Sequence, residues 1–86
     1  MNKLKQVYIP ASVESLTFAQ YVGRRIRSRR TALKMTQDEV VAACDISKTF
    51  LSELENGKRS ISLYKLTELA SVFGRSLDWF VKGWSE

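Results

Sequence analysis

Lys48, Thr49, Ser52 and Glu53 fall on one side of a short helical stretch whose other side carries Leu51 and Leu54. The set combines an ammonium donor, a methyl beside a hydroxyl, a second hydroxyl and a carboxylate acceptor. No general base accompanies either hydroxyl, so this is chemistry of contact rather than of bond breaking. Groups of this kind match the edges of nucleic-acid bases. Lys48 can donate to guanine O6 and N7, the Thr49 methyl can meet a thymine methyl, and Glu53 can accept from a cytosine amino group. In isolation, ordinary solvated helix surface is the better explanation of the same row. What surrounds it decides between the two.

The row belongs to the stretch Thr36 to Gly57, TQDEVVAACDISKTFLSELENG. Thr36 offers a hydroxyl cap ahead of Gln37, Asp38 and Glu39, and Ser47 a second cap ahead of Lys48. Val40, Val41 and Cys44, then Phe50, Leu51 and Leu54, recur at helical spacing on either side. Only Asp45 and Ile46 separate Cys44 from the second cap, which predicts a sharp corner and two steeply crossing helices, as in a helix-turn-helix. Phe50 is expected to be partly buried packing.

The segment resembles the helix-turn-helix of the Xre/Cro family, the lambdoid phage repressors and their relatives, with the pattern TQ-x-x-LA-x-x-x-G-[VI]-S-x-x-x-[IL]-S-x-[IL]-E-x-G. Thr36, Gln37, Ile46, Ser47, Leu51, Ser52, Leu54, Glu55 and Gly57 fit it, and Asn56 completes the common ENG ending. The likeness extends over about residues 18 to 83. It departs at Val41, where a small residue is usual, and at Asp45, which replaces a turn glycine that favours positive φ; Asp tolerates that region better than most side chains. The resemblance implies an all-α, compact five-helix lambda-repressor-like domain, preceded here by an N-terminal arm. It also implies that Gln37 and Asn56 contact phosphate, and that Arg30 on the first helix pairs with Glu55 at the end of the recognition helix. Breaking such a half-shielded pair from one side costs about 3 to 5 kcal/mol, so Arg30→Ala is expected to lose stability first and DNA binding as a result.

Phosphate binding cannot rest on charge inside the motif, where Asp38, Glu39, Asp45, Glu53 and Glu55 face Lys48 alone between Gln37 and Asn56. It must lean on Thr36 and Gln37 at a helix N-terminus, and on Asn56, Lys58, Arg59 and Ser60 in the loop that follows, where Gly57 also serves as a left-handed cap.

Eighty-six residues suit one small domain, read as an arm at residues 1–16 with a possible short strand and a helix-turn-helix domain at 17–84. Fourteen Lys and Arg against nine acids give a net charge of +5, which favours an anionic partner. A lone cysteine and no histidine leave no disulfide, no metal cluster and no His-based catalysis. Cys44 reads as a small core residue in a reducing compartment, and with no leader or membrane span in view a cytoplasmic location is expected.

The first helix is predicted over Phe18 to Leu33, capped by Thr17, with Phe18, Val22, Ile26 and Leu33 as its buried stripe and Gly23 allowing another helix to come close. Arg24, Arg25, Arg27, Arg29, Arg30 and Lys34 make it the most basic stretch, and most of them are expected in solvent, Arg24 in particular. In the arm, Val7 to Ile9 can form a strand and Ala11 to Leu16 a turn of helix. The favoured reading is an arm that folds over the core or stays mobile, with Lys3 and Lys5 reaching a minor groove, or the strand pairing with its copy in a dimer, as the alternatives. Ser62 should cap a fourth helix with Leu63, Leu66, Leu69, Ala70 and Phe73 inward, and Ser76 a short fifth with Leu77 and Phe80 inward. Trp79, Val81 and Trp84 are left over; they are assigned to a homodimer interface, with folding back onto the chain's own helices as the alternative.

These readings point to a sequence-specific, double-stranded DNA-binding regulator, a repressor acting as a homodimer on a palindromic operator with recognition helices about 34 Å apart, and needing no cofactor. The alternative is an antitoxin or other partner-binding protein that also regulates its own operon. A membrane-surface role would expose the apolar face of the first helix that the core requires, and nothing in the chain suggests an enzyme.

Overall fold

Hydroxyl side chains open four of the five helices in this computed structural model, which describes residues 16–84. The helices are α1 (Phe18–Ala32), α2 (Gln37–Ala43), α3 (Lys48–Glu55), α4 (Leu63–Phe73) and α5 (Leu77–Val81). Thr17 Oγ1 accepts from the Gln20 N–H at 3.1 Å while Gln20 Oε1 accepts from the Thr17 N–H at 2.9 Å, a reciprocal capping box. Thr36 and Glu39 repeat it at 3.1 and 2.8 Å. Ser47 Oγ accepts from Phe50 N–H, and Ser62 Oγ from Lys65 N–H. Ser76 sits at the N-cap of α5 with extended backbone but makes no side-chain cap bond, so it does not supply the cap expected of it.

Three helices end alike. After α1, α3 and α4 the chain turns through a left-handed residue, with the following N–H reaching back to the carbonyl five residues earlier: Met35 to Arg30, Lys58 to Glu53, and Arg75 to Ala70. Glycine fills the left-handed position in two of them, Gly57 at φ 72° and Gly74 at φ 67°. Lys34 fills the third at φ 58°. The positive φ expected at Asp45 is therefore corrected, since Lys34 is the sole non-glycine residue with positive φ among the described residues. The α2–α3 corner instead runs through extended Cys44 (φ −145°, ψ 166°), with Ile46 N–H donating to Cys44 O, and Lys65 Nζ of α4 donating to Asp45 O at 2.8 Å pins it.

Every helix contributes to one core of Val22, Ile26, Val40, Leu51, Leu54, Leu66, Leu69, Ala70, Phe73 and Phe80. Phe18 and Leu33 leave the predicted stripe of α1: Phe18 is 47% exposed and Leu33 is also at the surface. Phe18 is the first residue of the fifteen-residue helix and Leu33 its C-cap, just past the end. Leu63 departs in the same way, 70% exposed in the first turn of α4. Gly23 carries the closest approach. A Cβ there would lie 2.0 Å from the Leu54 carbonyl oxygen, so α1 and α3 touch backbone to backbone.

The arm readings at residues 1–15, the strand at Val7 to Ile9 and the minor-groove lysines included, lie outside the described residues. Cys44 is partly buried with Sγ donating to Val40 O at 3.3 Å. Burial pushes its thiol above the ordinary value, Glu68 and Asp45 add to the push, and Lys65 opposes it. It is a packing residue.

Candidate nucleic-acid interface

The outward face of α3 exists because its inward face is fixed. Leu51 and Leu54 are buried, and Glu55 beside them is the one buried charged side chain among the described residues. Glu55 Oε2 accepts from Arg30 Nε at 2.6 Å, and its Oε1 accepts from Arg30 Nη2 at 3.0 Å. Its side chain is 2% exposed and that of Arg30 13%. The bidentate contact raises the Arg30 pKa further above its ordinary value, against the opposing effect of burial. Arg30 Nη1 also donates to Met35 O at 2.9 Å, so one guanidinium ties α1, the α1–α2 link and α3 together.

Gln37 enters the same cluster, its Nε2 donating to Glu55 Oε1 at 3.0 Å. The side chain assigned to phosphate is thus oriented from behind by the carboxylate that holds Arg30. Thr36 is exposed at the same helix end, though its hydroxyl oxygen already accepts the Glu39 N–H and retains its own proton to donate.

On the row itself, Lys48 and Thr49 are exposed, while Ser52 and Glu53 are half-buried. Lys48 Nζ lies 3.2 Å from Asp38 Oδ1 of α2. Glu53 Oε1 lies 3.5 Å from Arg59 Nε, and the Arg59 guanidinium sits 5.1 Å from the centre of the half-buried Phe50 ring. Arg59, the loop cation assigned to phosphate, is therefore coupled to Glu53 of the row. An open depression of about 370 Å³ runs beside this edge between Ile46, Thr49, Phe50, Glu53, Arg59 and Lys65. At the end of α3 the Asn56 Nδ2 donates to Ser52 O at 2.9 Å, and Lys58, Arg59 and Ser60 follow as exposed loop residues. Gly57 brings this loop against α1, where a Cβ would lie 2.5 Å from Gln20 Cγ.

The remaining residues assigned from sequence lie elsewhere. Trp79, Val81 and Trp84 are half-buried on the chain's own helices. Trp79 stacks under the Arg25 guanidinium at 4.0 Å and meets Phe80 edge-on at 5.0 Å. Trp84 packs edge-on against Phe18 at 5.4 Å and beside Tyr21 at 5.7 Å, and Tyr21 Oη donates to Lys82 O. Arg25 and Arg29 are not solvated as expected. Arg25 donates to Trp79 O from Nε and Nη2 at 3.0 and 2.6 Å, and Arg29 Nε donates to Phe73 O at 2.9 Å. Long cationic side chains at helix C-terminal carbonyls are favourable, and only the backbone they reach for was invisible in the sequence. Arg24 and Arg27 are exposed, as expected.

With this geometry in place, the likeness to known proteins is informative. A family model described as helix-turn-helix matches residues 26–80. The chain belongs to the Xre-like helix-turn-helix family. That family is one of DNA-binding transcription regulators. Among its relatives are an uncharacterized transcriptional regulator in the ATPase CF(0) region of Rhodospirillum rubrum, 32% identical over 70% of this chain and 56% of that protein, and the control protein C.MunI of a Mycoplasma species, 33% identical over 64% of this chain and 72% of that one. The chain thus spans little more than half the length of the Rhodospirillum protein. In structure it is similar to the clp gene regulator ClgR of Corynebacterium glutamicum, with a TM-score of 0.74, 27% identity and coverage of 78% and 87% of the two chains. The restriction-modification controller C.AhdI of Aeromonas hydrophila shares the fold with a TM-score of 0.69, at 22% identity over 72% and 94%. No described helix is long and apolar enough to cross a membrane, and no group of three metal-ligating side chains occurs among the described residues.

Proposed function

We propose that this chain is a sequence-specific, double-stranded DNA-binding transcriptional regulator, a repressor that reads bases with Lys48, Thr49, Ser52 and Glu53 of α3. One observation carries the reading: a short helix, anchored by buried Leu51, Leu54 and the Arg30–Glu55 pair, presents that row on its outer side. Thr36 and Gln37 at the start of α2, and Asn56, Lys58, Arg59 and Ser60 after α3, flank it as phosphate donors. Its likeness to a transcriptional regulator and to control proteins supports the same conclusion.

The protein acts in the cytoplasm as a homodimer on an operator with dyad symmetry. Leu63 and Tyr64, 70% and 69% exposed at the start of α4, offer larger apolar surface for a second copy than Trp79, Val81 and Trp84, which their own chain already half covers. Selection of duplexes from random DNA by the purified protein tests the reading. Enriched sites should show dyad symmetry, and Lys48→Ala should change preference at one position per half-site, a difference of about 1 to 3 kcal/mol between bases. Uniform weakening on all sequences would remove the base-reading role of the row.

A further inference from the structure

We propose that Arg24 and Arg27 of α1 form a second phosphate-holding strip for the duplex, beside the C-terminal end of α3. The proposal rests on the DNA-binding reading and extends its contact surface to a helix that otherwise serves the core. Gln20, Arg24 and Arg27 recur at i, i+4 and i+7, which places them along one side of α1. With Glu55 and Asn56 they line a polar depression of about 210 Å³.

The charge in that depression is decidedly positive. Glu55 is its acidic lining residue, and both its oxygens are already engaged by Arg30 and Gln37. Arg24 and Arg27 have no carboxylate or carbonyl acceptor among the described residues, in contrast to Arg25, Arg29 and Arg30 on the same helix. Two neighbouring like charges repel unless an anion lies between them. Asn56, already assigned to phosphate, spends one N–H on Ser52 O and has a second left for the depression. Both cations are arginines, whose planar donor fork fits two phosphate oxygens at once. Asn56 follows Ser52 by one turn, so the depression opens where the base-reading row ends. A phosphate on the strand that passes this end meets three convergent donors.

The test is the double variant Arg24→Gln/Arg27→Gln in the full chain, measured against wild type on the selected duplex and on unrelated duplex. Binding to both should weaken by the same factor, base preference should stay, and the slope of log affinity against log salt should flatten by about 1.8, two contacts at about 0.9 each. Ethylation interference at one or two phosphates should be seen with wild type and vanish in the variant. Arg24→Lys/Arg27→Lys should keep the salt slope while losing part of the affinity. The thermal midpoint should not fall, since both side chains are exposed. Wild-type affinity and slope in the glutamine variant, with Lys48→Ala still shifting base preference, would overturn the strip and leave the DNA reading intact. Altered base preference in the glutamine variant overturns the phosphate assignment as well. If wild type enriches no duplex, the DNA reading fails and the strip with it.

Discussion

Two sets of ion pairs in this chain have the same chemistry and opposite settings. Behind α3, Arg30 meets Glu55 through two hydrogen bonds and both side chains are shielded from water. In front of it, Lys48 meets Asp38 through one contact, with side chains 57% and 71% exposed, and Arg59 meets Glu53 at 3.5 Å, also partly in water. Shielding decides what each pair can do. A desolvated pair cannot lose one member without stranding the other, so it acts as a permanent tie, whereas an exposed pair exchanges its partner for water or phosphate at little cost. The side chains proposed to read bases are held loosely on a helix that is held firmly.

The largest test of that contrast is Arg30→Ala. It leaves Glu55 buried with Gln37 as its remaining side-chain partner, so a loss of about 3 to 5 kcal/mol is expected, seen as a lower denaturant midpoint. DNA binding should fall with the folded fraction and recover at low temperature or in stabilising osmolyte. Unchanged stability would dissolve the distinction between the two sets.

Gly23→Ala comes next. The added methyl would sit 2.0 Å from the Leu54 carbonyl oxygen, which belongs to backbone and cannot swing aside, so α3 must shift on α1. Overpacking of this kind costs about 1 to 3 kcal/mol, and the shift should also weaken DNA binding beyond the unfolded fraction. A variant with wild-type thermal midpoint would show that the two helices are not locked together at this point.

Lys34→Gly has a smaller effect of opposite sign. Relief of a left-handed lysine is worth about 1 to 2 kcal/mol and the added freedom of the unfolded chain takes back about 0.5 to 1, leaving about 0.5 kcal/mol of stabilisation. In a domain of this size that is a rise of about 2 to 4 °C in Tm. A fall would mean that the Lys34 side chain, not its backbone, matters at this turn.

How far these features were legible follows from what a sequence can carry. The helix starts were readable because a hydroxyl residue ahead of a helical run has one main local use, and Thr17, Thr36, Ser47 and Ser62 all serve it. Gly23 and the Arg30–Glu55 pair were readable too, the first from its place beside an apolar stripe and the second from resemblance. The left-handed turn at Lys34 was not, since lysine gives no sign of that conformation, whereas Asp45 stands where a turn glycine is usual and yet takes no positive φ. Arg25 and Arg29 were misread because their acceptors are backbone carbonyls of Trp79 and Phe73, which leave no mark on residue type. Likewise the internal pairing of Lys48 and of Glu53 depends on how α2 and the loop after α3 fold back, and periodicity along one helix is blind to that.

The smallest expected effect is also the most discriminating. In a double-mutant cycle of Lys48→Ala and Asp38→Ala the coupling energy should be about 0.2 to 1 kcal/mol and should shrink in high salt, as for exposed pairs in general, while the Arg30 and Glu55 cycle stays large in the same buffer. Asp38 also repels phosphate while it holds Lys48. Asp38→Ala should therefore raise affinity for unrelated duplex more than for the selected site, because only a correctly read base offers Lys48 a better partner than the carboxylate. A cycle coupling well above 1 kcal/mol, or equal gains on both duplexes, would place Lys48 and Asp38 with the permanent ties and leave Thr49, Ser52 and Glu53 to account for specificity.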